Sequence, residues 1–172
     1  AYLVVPCYNE EAVLPETVKR LTEKLRGLIA SGRAGEDSRI LLVDDGSKDR
    51  TWELIAGFHQ ENRLVSGLKL AHNRGHQNAL LAGLMTARER ADCAISLDAD
   101  LQDDIDVLDA FLDKYHEGCE VVYGVRNKRD TDTLFKRSTA QGFYKFMKML
   151  GVDIVYNHAD YRLMGKRALD AL

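Results

Sequence analysis

The sequence predicts an α/β fold: a mostly parallel central sheet with helices on both faces. Two observations carry this. Short apolar runs alternate with amphipathic helical stretches four times between Tyr2 and Tyr115, and each run ends in a polar loop before helical periodicity resumes. Strands alternating with helices at this spacing pair in parallel through right-handed crossovers. Ligands of such sheets bind outside the carboxyl ends of the strands, so the four polar loops are expected on one edge.

The elements follow in order. "YLVV" (Tyr2 to Val5) is the first strand, and Leu14, Val18, Leu21, Leu25 and Leu28 then recur at three- and four-residue steps as the stripe of a helix that Gly32 stops. "RILLV" (Arg39 to Val43) is a buried strand, "DDGSKDRT" a turn, and Trp52, Ile55 and Phe58 mark the next helix. "GLKLA" and the loop "HNRGHQN" lead to a helix from about Ala79 to Arg90. "DCAISL" leads through an acidic loop to a helix around Val107 to Tyr115, and a strand "EVVYGV" follows. Beyond Val125, "RNKRDTDTLFKR" carries five basic residues against two acidic ones and reads as a functional loop, ahead of a helix with Phe143, Phe146, Met147 and Leu150. For these aromatics and Tyr144, core packing is preferred to an acyl-chain groove. Residues 1–172 are expected to form one domain, cut at both ends, since Ala1 opens almost inside a strand and "KRALDAL" stops within a helix.

With 45% hydrophobic and 30% charged residues, the chain has material for a real core, and a net charge of -3 argues against a nucleic-acid partner. Cys7, Cys93 and Cys119 are odd in number and lie in or beside apolar segments, which predicts buried free thiols and a reducing compartment. No apolar run reaches the ~18 residues of a membrane span.

The chemistry concentrates in "SLDADLQDD", where Asp98, Asp100, Asp103 and Asp104 crowd the end of a strand. Like charges this close repel, which implies a positive partner. If the strand direction continues, Asp98 and Asp100 share one side and Ala99 takes the other. Two hard oxygens, with Gln102 adding a third, suit Mg²⁺ or Mn²⁺ completed by substrate phosphates. Asp103 and Asp104 read as caps of the next helix. Asp45 ends the second strand beside Asp44, where it can accept from a ribose hydroxyl or a base N–H, or make a local turn bond. Ser47 and Asp49 read as caps. His72, His76 and His158 show no metal-ligand spacing and are expected to be solvated or hydrogen-bonded loop residues.

In this order, "VVPCYNEE", "VDDGSKDRT", "NRGHQNAL", "LDADLQDD", "VVYGVR", "FKR" and "ADYRLM" resemble the signatures of family 2 inverting glycosyltransferases, nearest to the dolichol- and undecaprenyl-phosphate sugar transferases. The resemblance covers Val4 to Met164 and implies a Rossmann-like GT-A fold. It implies that Pro6, Tyr8, Glu10, Val43 and Asp45 hold the nucleoside of a UDP- or GDP-sugar donor. Asp100 and Gln102 are then the direct metal ligands, Asp98 and Ala99 lie nearer the ribose or sugar, and Arg126 and Arg137 meet the diphosphate or the acceptor phosphate. Asp160 matches an acid presented to the acceptor: a general base if the acceptor is a saccharide hydroxyl, an orienting group for Arg162 or a substrate hydroxyl if it is a polyprenyl phosphate. A lipid-phosphate acceptor further implies the cytoplasmic face of a membrane for the full-length protein, with homo-oligomerisation left open. One departure from many such relatives is "LQDDID" where they carry prolines. Three rivals are a transferase building polysaccharide on sugar hydroxyls, a sugar nucleotidyltransferase, and a phosphoacceptor signalling module. The second lacks a Gly-rich phosphate loop after the first strand, and the third has no use for a second acid pair with Arg126.

Overall fold

A computed structural model describes residues 1–102, 104–125 and 158–172. By their contacts the residues group into Ala1–Val122 with Asp160–Leu172, and Tyr123–Ala159. Almost all described residues belong to the first group. They form β1 (Tyr2–Cys7), α1 (Leu14–Ala30), β2 (Arg39–Asp44), α2 (Thr51–Glu61), β3 (Val65–Lys69), α3 (His76–Arg88), β4 (Cys93–Ser96), α4 (Val107–His116), β5 (Val121–Val125), β6 (His158–Gly165) and α5 (Lys166–Asp170).

The sheet order is β3-β2-β1-β4-β6-β5, parallel through the first four strands. β6 runs antiparallel to β4, with Ser96 opposite Arg162 and Cys93 opposite Gly165. That strand is absent from the sequence reading, where "HADYRLMG" carries only a motif. Along the inner strands alternation sorts side chains by face: Tyr2, Val4, Leu41, Val43 and Ala94 pack with Ala79, Leu80 and Leu84 of α3 and Leu169 of α5. The opposite face is covered by α1, α2 and α4, and the whole predicted stripe of α1 is buried. Burying five Val and Leu side chains on one helix is worth roughly 1.5–3 kcal/mol each before chain entropy is counted.

Helix α1 stops as expected. Gly32 adopts φ +74°, its N–H donates to the Ile29 carbonyl at 3.0 Å, and Arg33 N–H donates to Leu28 at 2.9 Å, the paired bonds of a Schellman cap. Helix α3 begins at His76, three residues before the predicted start. Cys7 and Cys93 are buried as free thiols, but Cys119 is exposed. It lies just past the C-terminal turn of α4, after Gly118 at φ +100°, where the chain runs over the surface. Among the described residues no helix is long and apolar enough to cross a membrane.

Gly46 is the tightest backbone approach at the carboxyl edge. Its φ is +67°, and a Cβ there would lie 2.5 Å from the carbonyl carbon of His72 and 2.6 Å from the amide nitrogen of Asn73. Neither contact is with a side chain that could swing away. Gly46→Ala is therefore expected to destabilise the protein by on the order of 3 kcal/mol, read as a lower urea midpoint with an unchanged denaturant slope.

Candidate active site

The site is built on the loops that leave the carboxyl ends of β1, β2, β3 and β4. The first two are laced together by side chains of "NEE" and "SKDRT". Asn9 N–H donates to Ser47 Oγ at 2.9 Å, and Lys48 N–H donates to Asn9 Oδ1 at 2.9 Å. Glu10 N–H donates to Thr51 Oγ1 at 2.8 Å, Glu11 N–H to Asp49 Oδ2 at 3.1 Å, and Arg50 N–H to Glu11 Oε2 at 3.0 Å. Asn9 sits at φ 55°, a conformation its short polar side chain tolerates. Asp49 also accepts from Thr51 N–H at 3.0 Å, satisfying the first amide of α2 from the position before its N-cap residue, Arg50, whose side chain makes no capping bond. The Asp49 carboxyl is held below the usual range because these bonds outweigh desolvation. Ser47 does not cap; its hydroxyl goes to Asn9.

Asp45 ties in the third loop. Its side chain is buried, with Oδ1 accepting from Arg74 N–H at 2.7 Å and Oδ2 from Gly75 N–H at 2.9 Å. The local turn bond expected as one alternative for Asp45 is not what it makes, since both partners lie in the loop after β3, 29 and 30 residues along the chain. Neighbouring Asp44 is fully buried: Oδ1 accepts from Ser47 N–H at 3.1 Å, and Oδ2 has no hydrogen-bond partner among the described residues. Cys7, opposite Asp44 in the sheet, is an inert thiol, its pKa pushed far up by burial and by the negative charge of Glu10 and Asp44. Burial likewise raises Cys93 to about 11.

These loops enclose a cleft of about 160 Å³ lined by Pro6, Cys7, Tyr8, Glu10, Asp45, Asn73, Gly75, His76 and Ala79. Four of the five residues predicted for the nucleoside therefore line one cavity. The fifth, Val43, is fully buried in the core cluster beneath it. Tyr8 is 40% exposed, an aromatic face available to a flat ligand.

The acidic motif departs from the strand geometry expected for it. β4 ends at Ser96, and Ala99 and Asp100 form a turn in which Leu101 N–H donates to the Asp98 carbonyl at 3.3 Å and Leu101 takes φ 49°. Strand alternation thus does not place Asp98 and Asp100. Ala99 is buried, and its carbonyl accepts from the Thr17 hydroxyl of α1 at 2.5 Å. Asp100 Oδ1 accepts from Gln102 N–H at 3.2 Å, and both residues are exposed. Asp104 Oδ1 accepts from Asp106 N–H at 2.9 Å, tightening the turn before α4. Asp106, at the N-cap position of α4, pairs with Lys24 at 2.8 Å rather than with the helix backbone. Asp103 lies outside the described residues.

Glu10 is held above the usual carboxylate range by partial burial, then by the charges of Asp100, Asp49 and Asp98. Negative potential is therefore concentrated where the cleft meets the acidic turn. Among the described residues no three His, Cys, Asp or Glu side chains converge as a ready metal cage. Two carboxylates and an amide fit instead a cation that keeps waters and shares a ligand's phosphates.

The sequence reading gave His76 no role. It opens α3, lines the cleft, and brings Nε2 to 3.8 Å from Asp98 Oδ1. The Gly75 conformation, φ 87°, is what turns the chain into the helix there. Its inclusion in "NRGHQNAL" was the available signal. Arg126 and Arg137, with Lys128, Arg129, Phe143, Tyr144 and Phe146, lie outside the described residues. Asp160 is in β6, two residues from the Arg162 that faces Ser96. Arg162 Nε is buried without a hydrogen-bond partner among the described residues.

A mostly parallel sheet of this order, with a cleft and an acidic turn at its carboxyl edge, is the architecture of the GT-A glycosyltransferases. One solved example is the mannosyltransferase PcManGT from Pyrobaculum calidifontis in complex with GDP-Man and Mn²⁺. It superimposes with a TM-score of 0.62 at 18% identity, covering 99% of this chain and 45% of that one. The sequence matches the profile of glycosyl transferase family 2 over residues 2–172, and the chain belongs to that family. The uncharacterized glycosyltransferase YkoT of Bacillus subtilis is 62% identical over 170 residues, 99% of this chain and 50% of that protein. The prophage bactoprenol glucosyl transferase homolog of Escherichia coli K12 is 36% identical over 172 residues, 98% of this chain and 53% of that protein. The chain thus spans about half the length of the curated relatives it matches.

The sign of the Glu10 shift makes a stability prediction. Its folded value lies above the unfolded one, so the folded state binds more protons between them; this contribution is full below the unfolded value and lost as pH rises through the folded value. Glu10→Gln is expected to raise the urea midpoint relative to wild type at about pH 7, with the difference closing by about pH 4.

Proposed function

We propose that the protein transfers a sugar, with inversion, from a nucleotide-diphosphate sugar to a polyprenyl phosphate. The observation that carries the acceptor class is the 36% identity, over nearly the whole chain, with a relative named as a bactoprenol glucosyl transferase homolog. The donor class is supported by the cleft that gathers Pro6, Tyr8, Glu10 and Asp45 beside the acidic turn.

In this reading the nucleoside lies in the cleft against Tyr8, with Glu10 and the remaining lone pairs of Asp45 accepting from its hydroxyl or N–H groups. Val43 shapes the floor from below. Asp98 and Ala99 lie beside the ribose or sugar, and Asp100 and Gln102, with Asp98 near them, hold Mg²⁺ or Mn²⁺. When bound, such a cation neutralises charge on the departing nucleoside diphosphate. The negative potential that raises Glu10 is the feature of this chain that suits it. Arg126 and Arg137 are assigned to the diphosphate and the acceptor phosphate, for which a guanidinium offers bidentate contacts.

The reaction needs little proton transfer. An oxygen of the acceptor phosphate, already ionised near neutral pH, attacks the anomeric carbon; the bond from that carbon to the diphosphate oxygen breaks, and its electron pair leaves with the nucleoside diphosphate. No base is required, so Asp160 orients a substrate hydroxyl or Arg162. A lipid acceptor places the working protein at a membrane surface, on the cytoplasmic side where nucleotide sugars are made available.

Calorimetric titration with UDP and GDP, with and without Mn²⁺, tests the donor site. Metal-dependent binding of one nucleotide is expected, and its loss in Asp100→Asn; binding of neither nucleotide to folded protein overturns the reading. The acceptor is tested with Asp160→Asn. Transfer to polyprenyl phosphate is expected to stay within about tenfold of wild type, whereas a drop of about a thousandfold points to a saccharide hydroxyl that needs a base.

A further inference from the structure

We infer that Thr17 is a positioning residue for the acidic turn, and that α1 couples the two halves of the donor site through it. The inference rests on the proposed cation site and goes beyond it. Thr17 lies in the second turn of α1, 2% exposed, and its Oγ1 stands 2.5 Å from the Ala99 carbonyl oxygen and 3.1 Å from that of Val13. A hydroxyl has one proton to give. The Val13 carbonyl already accepts Thr17 N–H at 3.1 Å, as helix geometry requires, and the shorter contact is to Ala99. The proton therefore belongs to Ala99.

Ala99 separates Asp98 from Asp100, so the plane of its carbonyl sets the direction in which the chain enters Asp100. Within the turn, Leu101 N–H donates to the Asp98 carbonyl and Gln102 N–H to Asp100 Oδ1, and internal bonds fix the shape of a turn without fixing where it points. His76 of α3 approaches the side chain of Asp98 at 3.8 Å. The Thr17 bond reaches across 82 residues and ties the turn to a rigid helix. Farther along the same helix, Lys24 pairs with Asp106 and Asp109, holding the segment that leaves the turn. At its other end, α1 begins three residues after Glu11, where the five-bond brace joins it to the loop that carries Asp45. The helix thus spans from the nucleoside side of the cleft to the side assigned to the cation.

The test compares Thr17→Val, which keeps shape and removes the donor, with Thr17→Ser, which restores the hydroxyl. Mn²⁺ affinity is measured by the free-ion electron paramagnetic resonance signal in the presence of saturating UDP or GDP, whichever binds. Expected are an affinity for Mn²⁺ about tenfold weaker in Thr17→Val, and recovery to within about twofold of wild type in Thr17→Ser. Nucleotide affinity without metal should be unchanged in both. If Thr17→Val does not fold, Thr17→Ala is read in its place. Wild-type affinity for Mn²⁺ in a folded variant lacking the hydroxyl overturns the positioning role while leaving the cation site intact. A wild-type protein that binds nucleotide but no Mn²⁺ overturns the cation site and this inference with it.

Discussion

The buried carboxylate of Asp45 is the interaction on which the rest of the carboxyl edge depends. It gives one oxygen to Arg74 N–H and the other to Gly75 N–H, and so fixes the loop after β3 against the end of β2. A charge-assisted pair of this kind is among the stronger bonds available to a loop. It is reached only because Gly46 has no side chain to hold the two backbones apart. From that junction follow the turn at Gly75, the start of α3, and the position of His76 in the cleft. The same residue also lines the cleft.

Around this junction the motifs divide their labour differently from their appearance. In "YNEE", Tyr8 and Glu10 face the cleft, while Asn9 and Glu11 are spent on the loop after β2. In "DDGSKDRT", Asp45 faces the cleft while Ser47, Asp49 and Thr51 answer the first loop. Loops carry backbone donors that no strand or helix satisfies, and here side chains from one loop supply the partners of the other. The motif is as much brace as cleft lining, and side-chain bonds between the loops hold walls that are not regular structure.

The edge is also held at an electrostatic cost. Partial burial and the charges of Asp100, Asp49 and Asp98 hold Glu10 above the usual carboxylate range, and Asp44 is buried with one oxygen unpartnered among the described residues. Carboxylates gathered in this way at the edge of a cleft suit the proposed cation and polyanionic ligand better than they suit stability. The acidic turn also places Leu101 at positive φ, which a leucine adopts only when its surroundings impose it. The tie from Thr17 of α1 belongs to those surroundings, as does the approach of His76 of α3 to Asp98.

Local periodicity carried much of the fold. The stripe Leu14, Val18, Leu21, Leu25 and Leu28 specified α1, Gly32 its end, and four strand-loop-helix repeats the parallel sheet, because amphipathic period and stop residues are properties of neighbouring positions. The ordered motifs likewise named Pro6, Tyr8, Glu10 and Asp45, which the structure brings to one cleft. Tertiary structure alone decided that β6 enters antiparallel beside β4, that Asp98 and Asp100 sit on a turn held by Ala99, and that His76 reaches Asp98. It also decided that Cys119 is exposed. The first three are set by partners far away in the chain: Ser96 opposite Arg162, Thr17 on Ala99, Asp45 on Gly75. Sequence spacing records the period of a helix or strand, but a hydrogen bond between residues 17 and 99 exists only once the chain has folded.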